Sequence, residues 1–348
     1  VTGVQTCALP IYMLPSLAWQ KCYDGAMTLN NAPSQAAVMD QGRITERRSQ
    51  ETPLFSICIP QYSRTDYLLV ALASIASQEG ASFEVCISDD RSPDKRSAEV
   101  IAFLEAQNVP FAYDLLAKNV RYDANLRNAI GISRGRYCLL MGNDDALKHS
   151  FVLRDLKAIF ERFPQMGASF TNYEDFRTGA VSRRAQGTGT RGAGPAAAIR
   201  NFRHYSFVSG VVLLGEKARS FATAGMDGSE MYQTYLATKI AAAGAEVVAA
   251  DVVAIRKDIV ISDKTVGELE DKGRRAEGPL TPQLLPIRHY AAVGYAGVAP
   301  YLTSARRRAF LDLYAQLYFL SYAYWVIQFR KREPMNFVLG FVLGMEIG

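Results

Sequence analysis

The stretch that decides the fold is Gly135-Arg-Tyr-Cys-Leu-Leu-Met-Gly-Asn-Asp-Asp-Ala-Leu-Lys-His149. The apolar run from Tyr137 to Met141 reads as a buried strand, and it stops abruptly at Gly142, Asn143, Asp144 and Asp145. In an open α/β sheet, ligands bind outside the carboxyl ends of the strands. Two adjacent acids at that place suit a hard divalent cation on a phosphate-bearing ligand. The same residues would also make an acidic turn before a helix, because Asp favours turns and N-caps. The chain on either side of the stretch weighs between these readings.

Upstream, Leu54 to Pro60 is an apolar strand stopped by proline, and Gln61 to Asp66 is a polar loop. Tyr67 to Ser77 has helical apolar spacing at Leu68, Ala71, Leu72 and Ile75. Phe83 to Ser88 is a second strand, ending in Asp89-Asp90-Arg-Ser-Pro-Asp94. A helix (Lys95 to Gln107), a strand (Phe111 to Leu115) and a further helix (Arg121 to Ser133) follow. Strand and helix alternating in this way give a doubly wound, mostly parallel α/β sheet. Its right-handed crossovers bring the loops at 61–65, 89–94 and 142–145 to one edge. No glycine-rich phosphate loop is present, so phosphate charge at that edge must be met another way, and a cation held on Asp144 and Asp145 would do it.

Downstream, Val152 to Phe163 reads as a helix and Ala168 to Tyr173 as a strand. Gly179 to Gly194, with five glycines and Arg183, Arg184 and Arg191, reads as a solvated loop. Phe207 to Leu214 is a strand, and Asp227-Gly-Ser-Glu230 leads into a helix ending near Ala243. Asp227 as N-cap with Glu230 three residues on has the form of a capping box. Glu246 to Ile255 is a last apolar strand or pair of strands.

The chain has 348 residues, of which 49% are hydrophobic, enough for one large or two modest cores. The net charge of +5 is dispersed rather than gathered on one face, so nucleic acid is not an expected partner. Cys58, Cys86 and Cys138 lie inside apolar strands without metal-ligand spacing, as small buried hydrophobes in a reducing compartment do. Val1 to Ile11 (VTGVQTCALPI) resembles a translated sequencing adapter and is set aside as an artefact. Residues 1–50 are read together as an adapter-derived or disordered lead, with Met39 favoured over Met13 and Met27 as the start.

Residues 259–348 read as a helical extension. Ala309 to Phe329 is largely apolar and aromatic, with Arg306 to Arg308 before it and Arg330 to Arg332 after it. Three placements stay open: packed on the domain before it, lying on an anionic membrane surface, or crossing a bilayer. Asp312 and Gln316 count against the last.

Four motifs, in order, resemble family 2 glycosyltransferases of the GT-A fold. Ser56-Ile-Cys-Ile-Pro-Gln-Tyr-Ser-Arg64 is similar to the family's opening strand and loop, with Ser63 in place of the usual asparagine. Ser88-Asp-Asp-Arg-Ser-Pro-Asp94 resembles its acidic loop, with Arg91 in place of glycine. Asn119 to Asn128 followed by Gly135-Arg-Tyr137 resembles its Asn-rich helix and the start of the next strand. Gly142-Asn-Asp-Asp145 takes the place of the D-x-D metal motif, in a form resembling the abequosyltransferase-like subgroup. The resemblance spans about Phe55 to Lys257, and the catalytic domain is expected over residues 51–258.

The resemblance implies an inverting transfer of a sugar from a nucleotide diphosphate donor to an acceptor hydroxyl, with Mn²⁺ or Mg²⁺ as cofactor. It implies that Pro60, Tyr62, Arg64, Asp89, Asp90 and Asn143 bind the nucleotide and that Asp144 and Asp145 bind the metal. The general base is expected from Asp227 or Glu230, with Glu174 and Asp175 as weaker alternatives. The setting it implies is cell-envelope polysaccharide or O-antigen synthesis, with a saccharide or lipid-linked acceptor. The expected compartment is the cytoplasm, at the inner face of the plasma membrane if the C-terminal helix takes the membrane-surface placement among the three left open above. A nucleotidyltransferase would need a glycine- and lysine-rich first loop, which Gln61-Tyr-Ser-Arg64 is not. A non-catalytic nucleotide-binding module is the remaining alternative.

Overall fold

The computed structural model describes residues 43–261, 293–294 and 296–302. The lead through residue 42, with all three candidate starts, and the aromatic stretch at 309–329 lie outside the described residues. So the placement of that stretch against a membrane stands as an expectation.

Five strands and three helices make the first half of the sheet. They are β1 (Arg43–Arg47), β2 (Phe55–Gln61), α1 (Thr65–Ala76), β3 (Phe83–Asp89), α2 (Ser97–Ala106), β4 (Phe111–Leu115), α3 (Arg121–Gly131) and β5 (Tyr137–Leu140). Strands β4, β3, β2 and β5 are parallel neighbours, as the alternating pattern predicts. The period of two sorts their side chains between two layers. Phe55, Ile57 and Ile59 of β2 and Tyr137 and Leu139 of β5 face α1, α2 and the helix α4 (Val152–Arg162). Cys58, Cys138 and Leu140 face α3 on the other side. The three described cysteines are free and buried, as their strand positions imply.

The second half widens the sheet. It adds β6 (Ala146–Leu147), β7 (Met166–Asp175), β8 (Val181–Ser182), β9 (Gly189–Thr190), β10 (Val211–Leu214) and β11 (Glu246–Lys257). Strand β10 runs antiparallel between β5 and β7, while β11 is parallel to β7. The path across the sheet is β1-β4-β3-β2-β5-β10-β7-β11-β6. Helices α5 (Gly194–Asn201), α6 (Gly215–Ser220) and α7 (Tyr232–Ala242) complete the α3 layer. Helical residues 293–294 and 296–298 pack into that layer, with Val293 and Val298 buried.

Gly135 earns its place by steric need. A Cβ there would lie 2.6 Å from the Ser56 backbone nitrogen and 2.8 Å from the Phe55 carbonyl carbon. The chain must pass that close for β5 to enter beside β2, and only glycine allows it.

Two expectations are corrected. Residues 43–47 are not a disordered lead: they form β1, an antiparallel edge strand on β4 with Ile44 opposite Asp114. Ile44 is half exposed, so the strand buries no apolar face and leaves no alternating pattern to read. The 179–194 loop is not a solvated excursion either. It contributes β8 and β9, and Ala185 within it is fully buried.

Candidate active site

The carboxyl ends of β2, β3 and β5 deliver three loops to one edge, and hydrogen bonds knit the loops together. Gln61 ends β2 and accepts, through its carbonyl, the Asp90 N–H at 2.8 Å and the Asn125 side-chain amide at 3.0 Å. Its side chain accepts the Asn143 amide at 2.7 Å and donates to the Ser63 carbonyl at 2.9 Å. The Ser63 N–H donates to Ser92 Oγ at 2.9 Å, and Thr65 Oγ1 donates to Asp94 at 2.7 Å. Ser63 and Arg64 take φ of 58° and 62°, two consecutive left-handed residues that tip the chain from strand into helix. Asn143 thus fixes the first loop from inside, while Tyr62 stands 51% exposed at its outer lip.

Asp89 and Asp90 are buried, at 2% and 3% exposure. Asp89 accepts the Ser92 N–H at 2.8 Å and the Tyr113 hydroxyl. Asp90 accepts the backbone N–H groups of Val120 and of Arg121, the latter at 2.9 Å, and so seats the start of α3. Burial raises the Asp90 carboxyl against the opposing pull of those two N–H donors. In this structure both acids shape that sheet edge through backbone and hydroxyl partners.

The acidic corner follows β5. Asp144 accepts Arg64 Nη1 at 2.7 Å, and both side chains are partly exposed. Asp145 is 3% exposed. It accepts the Ser209 hydroxyl and the Asp258 N–H, the latter at 2.9 Å. Burial first, and then neighbouring Asp144, push its carboxyl up to about 7. A Cβ on Gly142 would sit 3.2 Å from a carboxylate oxygen of each aspartate, so glycine leaves the corner open. Among the described residues no cluster of three or more acidic, histidine or cysteine side chains could enclose a metal. The donor set therefore fits Mg²⁺ or Mn²⁺ held by one or two carboxylates and completed by water and substrate oxygens. A closed protein cage is not what these residues form.

Behind the corner stands a residue the sequence reading missed. Arg184, in the loop read as solvated, has its guanidinium enclosed and donates to four backbone carbonyls. These are Thr171 at 2.8 Å, His204 at 2.9 Å, Phe207 at 2.7 Å and Ser209 at 2.7 Å. It also lies 5.2 Å and 5.5 Å from the ring centroids of Tyr173 and Phe207. Burial lowers its pKa to about 10. Through Ser209, whose hydroxyl bonds both Asp145 and the Gly142 N–H, Arg184 braces the acidic corner. Nothing in the sequence separates it from Arg183, which is exposed and 3.5 Å from Asp251.

The candidate bases sit on the loop before α7. The capping box expected of Asp227 and Glu230 is not formed, because α7 starts later, at Tyr232. The buried Asp123 on α3 does the capping instead. It accepts the N–H of Glu230 at 2.7 Å and of Tyr232 at 3.1 Å. Since Asp90 seats the start of α3 and Asp123 holds this loop, Asp227 and Glu230 belong to the same sheet edge. Asp227 is gripped through both oxygens by Arg127, at 3.2 Å and 2.6 Å. Glu230 is exposed at φ 57°, and among the described residues its carboxylate has no hydrogen bond or ion pair. Glu174 and Asp175 are poor bases. Burial raises Glu174, but hydrogen bonds from Lys148 and Arg256 prevail and hold it below the usual range. For Asp175, two bonds from Thr178 likewise outweigh burial.

The sequence profile described as "Glycosyl transferase family 2" matches residues 56–214, the stretch that carries the opening loop, the acidic loop and the corner. That stretch is similar to the family 2 glycosyltransferases. Abequosyltransferase RfbV of Salmonella typhimurium is 36% identical to this chain over 96 residues, 27% of this chain and 29% of that protein. The uncharacterized protein MT1568 of Mycobacterium tuberculosis is 31% identical over 121 residues, 35% of its length. The matched stretch thus spans about a third or less of each of these curated relatives. Among solved structures, S. aureus TarS in complex with UDP superposes with a TM-score of 0.51 at 15% identity, over 77% of this chain and 91% of that one. TarS in complex with UDP-GlcNAc gives 0.50 at 14% identity over the same shares. At these identities the likeness shows the fold alone, an α/β GT-A sheet.

Proposed function

We propose that the domain is an inverting glycosyltransferase that moves a sugar from a nucleotide diphosphate donor to an acceptor hydroxyl in cell-envelope polysaccharide synthesis. The observation that carries the reading is the joining of three loops at one sheet edge around Asp144, Asp145 and Arg64. The match of residues 56–214 to the family 2 glycosyltransferase model supports it. The nucleotide lies over Pro60, Tyr62 and Asn143, on the loop framework that Asp89 and Asp90 hold in shape. The diphosphate lies toward Arg64.

Negative charge grows on the leaving diphosphate as the glycosidic bond breaks, and fixed positive charge there lowers the barrier. When bound at Asp144 and Asp145, Mg²⁺ or Mn²⁺ supplies Lewis-acid stabilisation of that charge. Asp145 is held by Ser209 and the Asp258 N–H, so it orients the corner while the more exposed Asp144 faces the ligand. The acceptor hydroxyl must lose its proton as it attacks, and a positioned carboxylate takes it. Of the two candidates Glu230 fits that role. Both oxygens of Asp227 are occupied by Arg127, so neither is open to an acceptor hydroxyl. Glu230 has its backbone fixed by Asp123 and its carboxylate directed outward.

The acceptor is a saccharide, free or lipid-linked, and the aromatic, basic-flanked stretch at 309–329 suits contact with an anionic membrane face. The test is release and transfer of sugar from a panel of nucleotide diphosphate sugars with Mn²⁺ or Mg²⁺. Asp144→Asn should abolish turnover. Glu230→Gln should lower kcat by roughly 10²–10⁴, while Asp227→Asn should cost less. If no member of the panel is turned over or bound with either metal, the reading is wrong.

A further inference from the structure

The pair formed by Arg64 and Asp144 sets a phosphate-seeking guanidinium on the carboxylate that faces the metal position. We propose that Arg64 is an ion-pair latch on this corner, released when a divalent cation and the donor's diphosphate bind together. The diphosphate half of the statement rests on the glycosyltransferase reading above; the cation half does not.

Arg64 does not reach Asp144 by chance of rotamer. Its backbone is pinned in the left-handed region at φ 62° and ψ 43°, directly before α1. On one side the Ser63 carbonyl accepts Gln61 and Asn143, and the Ser63 N–H donates to Ser92. On the other side Thr65 is tied to Asp94. This braced loop directs Nη1 to Asp144 Oδ2 at 2.7 Å. Asn143, next to Asp144 in the chain, is bonded into the same loop, so the two halves of the latch move as one framework.

Exposure makes the pair exchangeable. The two side chains are 35% and 23% exposed, unlike Asp145 behind them. A half-exposed ion pair holds weakly enough for a ligand to displace it. A cation arriving alone must remove Arg64 from Asp144 and then sit beside its positive charge. A diphosphate arriving alone must draw Arg64 away and then face two carboxylates. When both arrive, the cation takes Asp144 and the guanidinium is freed toward phosphate oxygens, its preferred planar partners. Each ligand thus favours the rearrangement the other needs, and the coupling acts equally in both directions. A second consequence is that Arg64 offsets the charge of Asp144 before the donor arrives.

The experiment is a Mn²⁺ titration of the full chain, followed by electron paramagnetic resonance of the free ion. Wild type, Arg64→Gln and Arg64→Gly are compared first without nucleotide, then with UDP, GDP, CDP and dTDP in turn. Glycine suits φ 62°, so Arg64→Gly removes the guanidinium without straining the backbone. Without nucleotide, both variants should bind Mn²⁺ about three-fold more tightly than wild type, the scale of a partly exposed ion pair. With the nucleoside diphosphate that binds, the gain in Mn²⁺ affinity should be smaller in the variants than in wild type. Equal or weaker Mn²⁺ binding by the variants in the absence of nucleotide overturns the latch, as does no Mn²⁺ binding by any of them. Failure of all four nucleotides to bind counts against the glycosyltransferase reading and leaves the Mn²⁺-alone comparison to decide the latch by itself.

Discussion

Replacing Arg184 by methionine should be among the most damaging single changes in the domain, although it lies in a glycine-rich loop. The side chain makes four charge-assisted bonds to the carbonyls of Thr171, His204, Phe207 and Ser209. A hydrogen bond to a charged group contributes ~1.5–3 kcal/mol, and an abandoned buried carbonyl loses its partner outright. Part of that gain is offset by the cost of enclosing the guanidinium, which shows in its pKa of about 10. Some carbonyls will also take up water in the variant. The net loss should then be ~3–5 kcal/mol, the range for breaking a buried charged contact. For a domain of this size that lowers Tm by roughly 6–20 °C. Methionine keeps the stem's bulk beside the Tyr173–Phe207 ring pair, so the loss reports the bonds rather than a cavity. Arg184→Lys should not rescue, because one ammonium cannot span four carbonyls. Arg183→Met is the internal control: that side chain is 60% exposed, and the change should stay within ~0.5 kcal/mol. Urea unfolding of the three variants beside wild type measures the difference. Arg184→Met and Arg183→Met agreeing within about 1 kcal/mol would refute the bracing role.

Three further predictions concern the fold. His204 stacks on Phe170 at 4.5 Å between ring centroids, and burial, with Arg203, Arg184 and Arg191 nearby, lowers its pKa to about 4. Between pH 6.5 and 4 the unfolded chain therefore takes up a proton that the folded chain refuses. Stability from this group is full above pH 6.5 and falls as the pH drops toward 4, by on the order of 2 kcal/mol. His204→Phe should remove that slope in urea titrations against wild type. The opposite slope from Asp145, whose raised carboxyl disfavours folding as pH rises toward 7, is common to both proteins and cancels. Gly135→Ala forces a Cβ to 2.6 Å from the Ser56 nitrogen and should cost at least ~1–3 kcal/mol, read by thermal unfolding. Glu84 is buried at the amino end of β3, where it accepts Ser56 Oγ and the Arg134 N–H, each at 2.7 Å, and pairs with Arg48. Glu84→Ala should destabilise by ~3–5 kcal/mol while leaving KM for the donor unchanged, since it lies at the edge opposite the site.

Much of the sheet could be read from the chain because β2, β3 and β5 are buried on both faces and appear as short apolar runs. Their carboxyl ends carry Gln61, Asp89 and Gly142, so the converging loops followed from parallel topology alone. Strand β1 could not be read, because an edge strand with Ile44 half exposed has no apolar face to show. Arg184 could not be told from Arg183, because the difference lies in four carbonyls that tertiary folding gathers. The cap of α7 was misassigned for a similar reason. Asp227 and Glu230 have the local spacing of a capping box, but Asp123, 107 positions before Glu230, supplies the carboxylate. Local pattern locates elements and active-site loops; it does not show which distant side chain satisfies their open backbone groups.

The central claim, that Asp144 and Asp145 form the metal corner of a nucleotide diphosphate site, is tested most directly by thermal shift. The protein is heated with UDP, GDP, CDP or dTDP, with and without Mn²⁺. At about 100 times its Kd, a ligand specific for the folded state adds ~2.7 kcal/mol of apparent stability. The account predicts that at least one nucleotide raises Tm, that Mn²⁺ enlarges the rise, and that Asp144→Asn removes the Mn²⁺-dependent part. No shift with any of the four, or a shift that Asp144→Asn leaves intact, would contradict it.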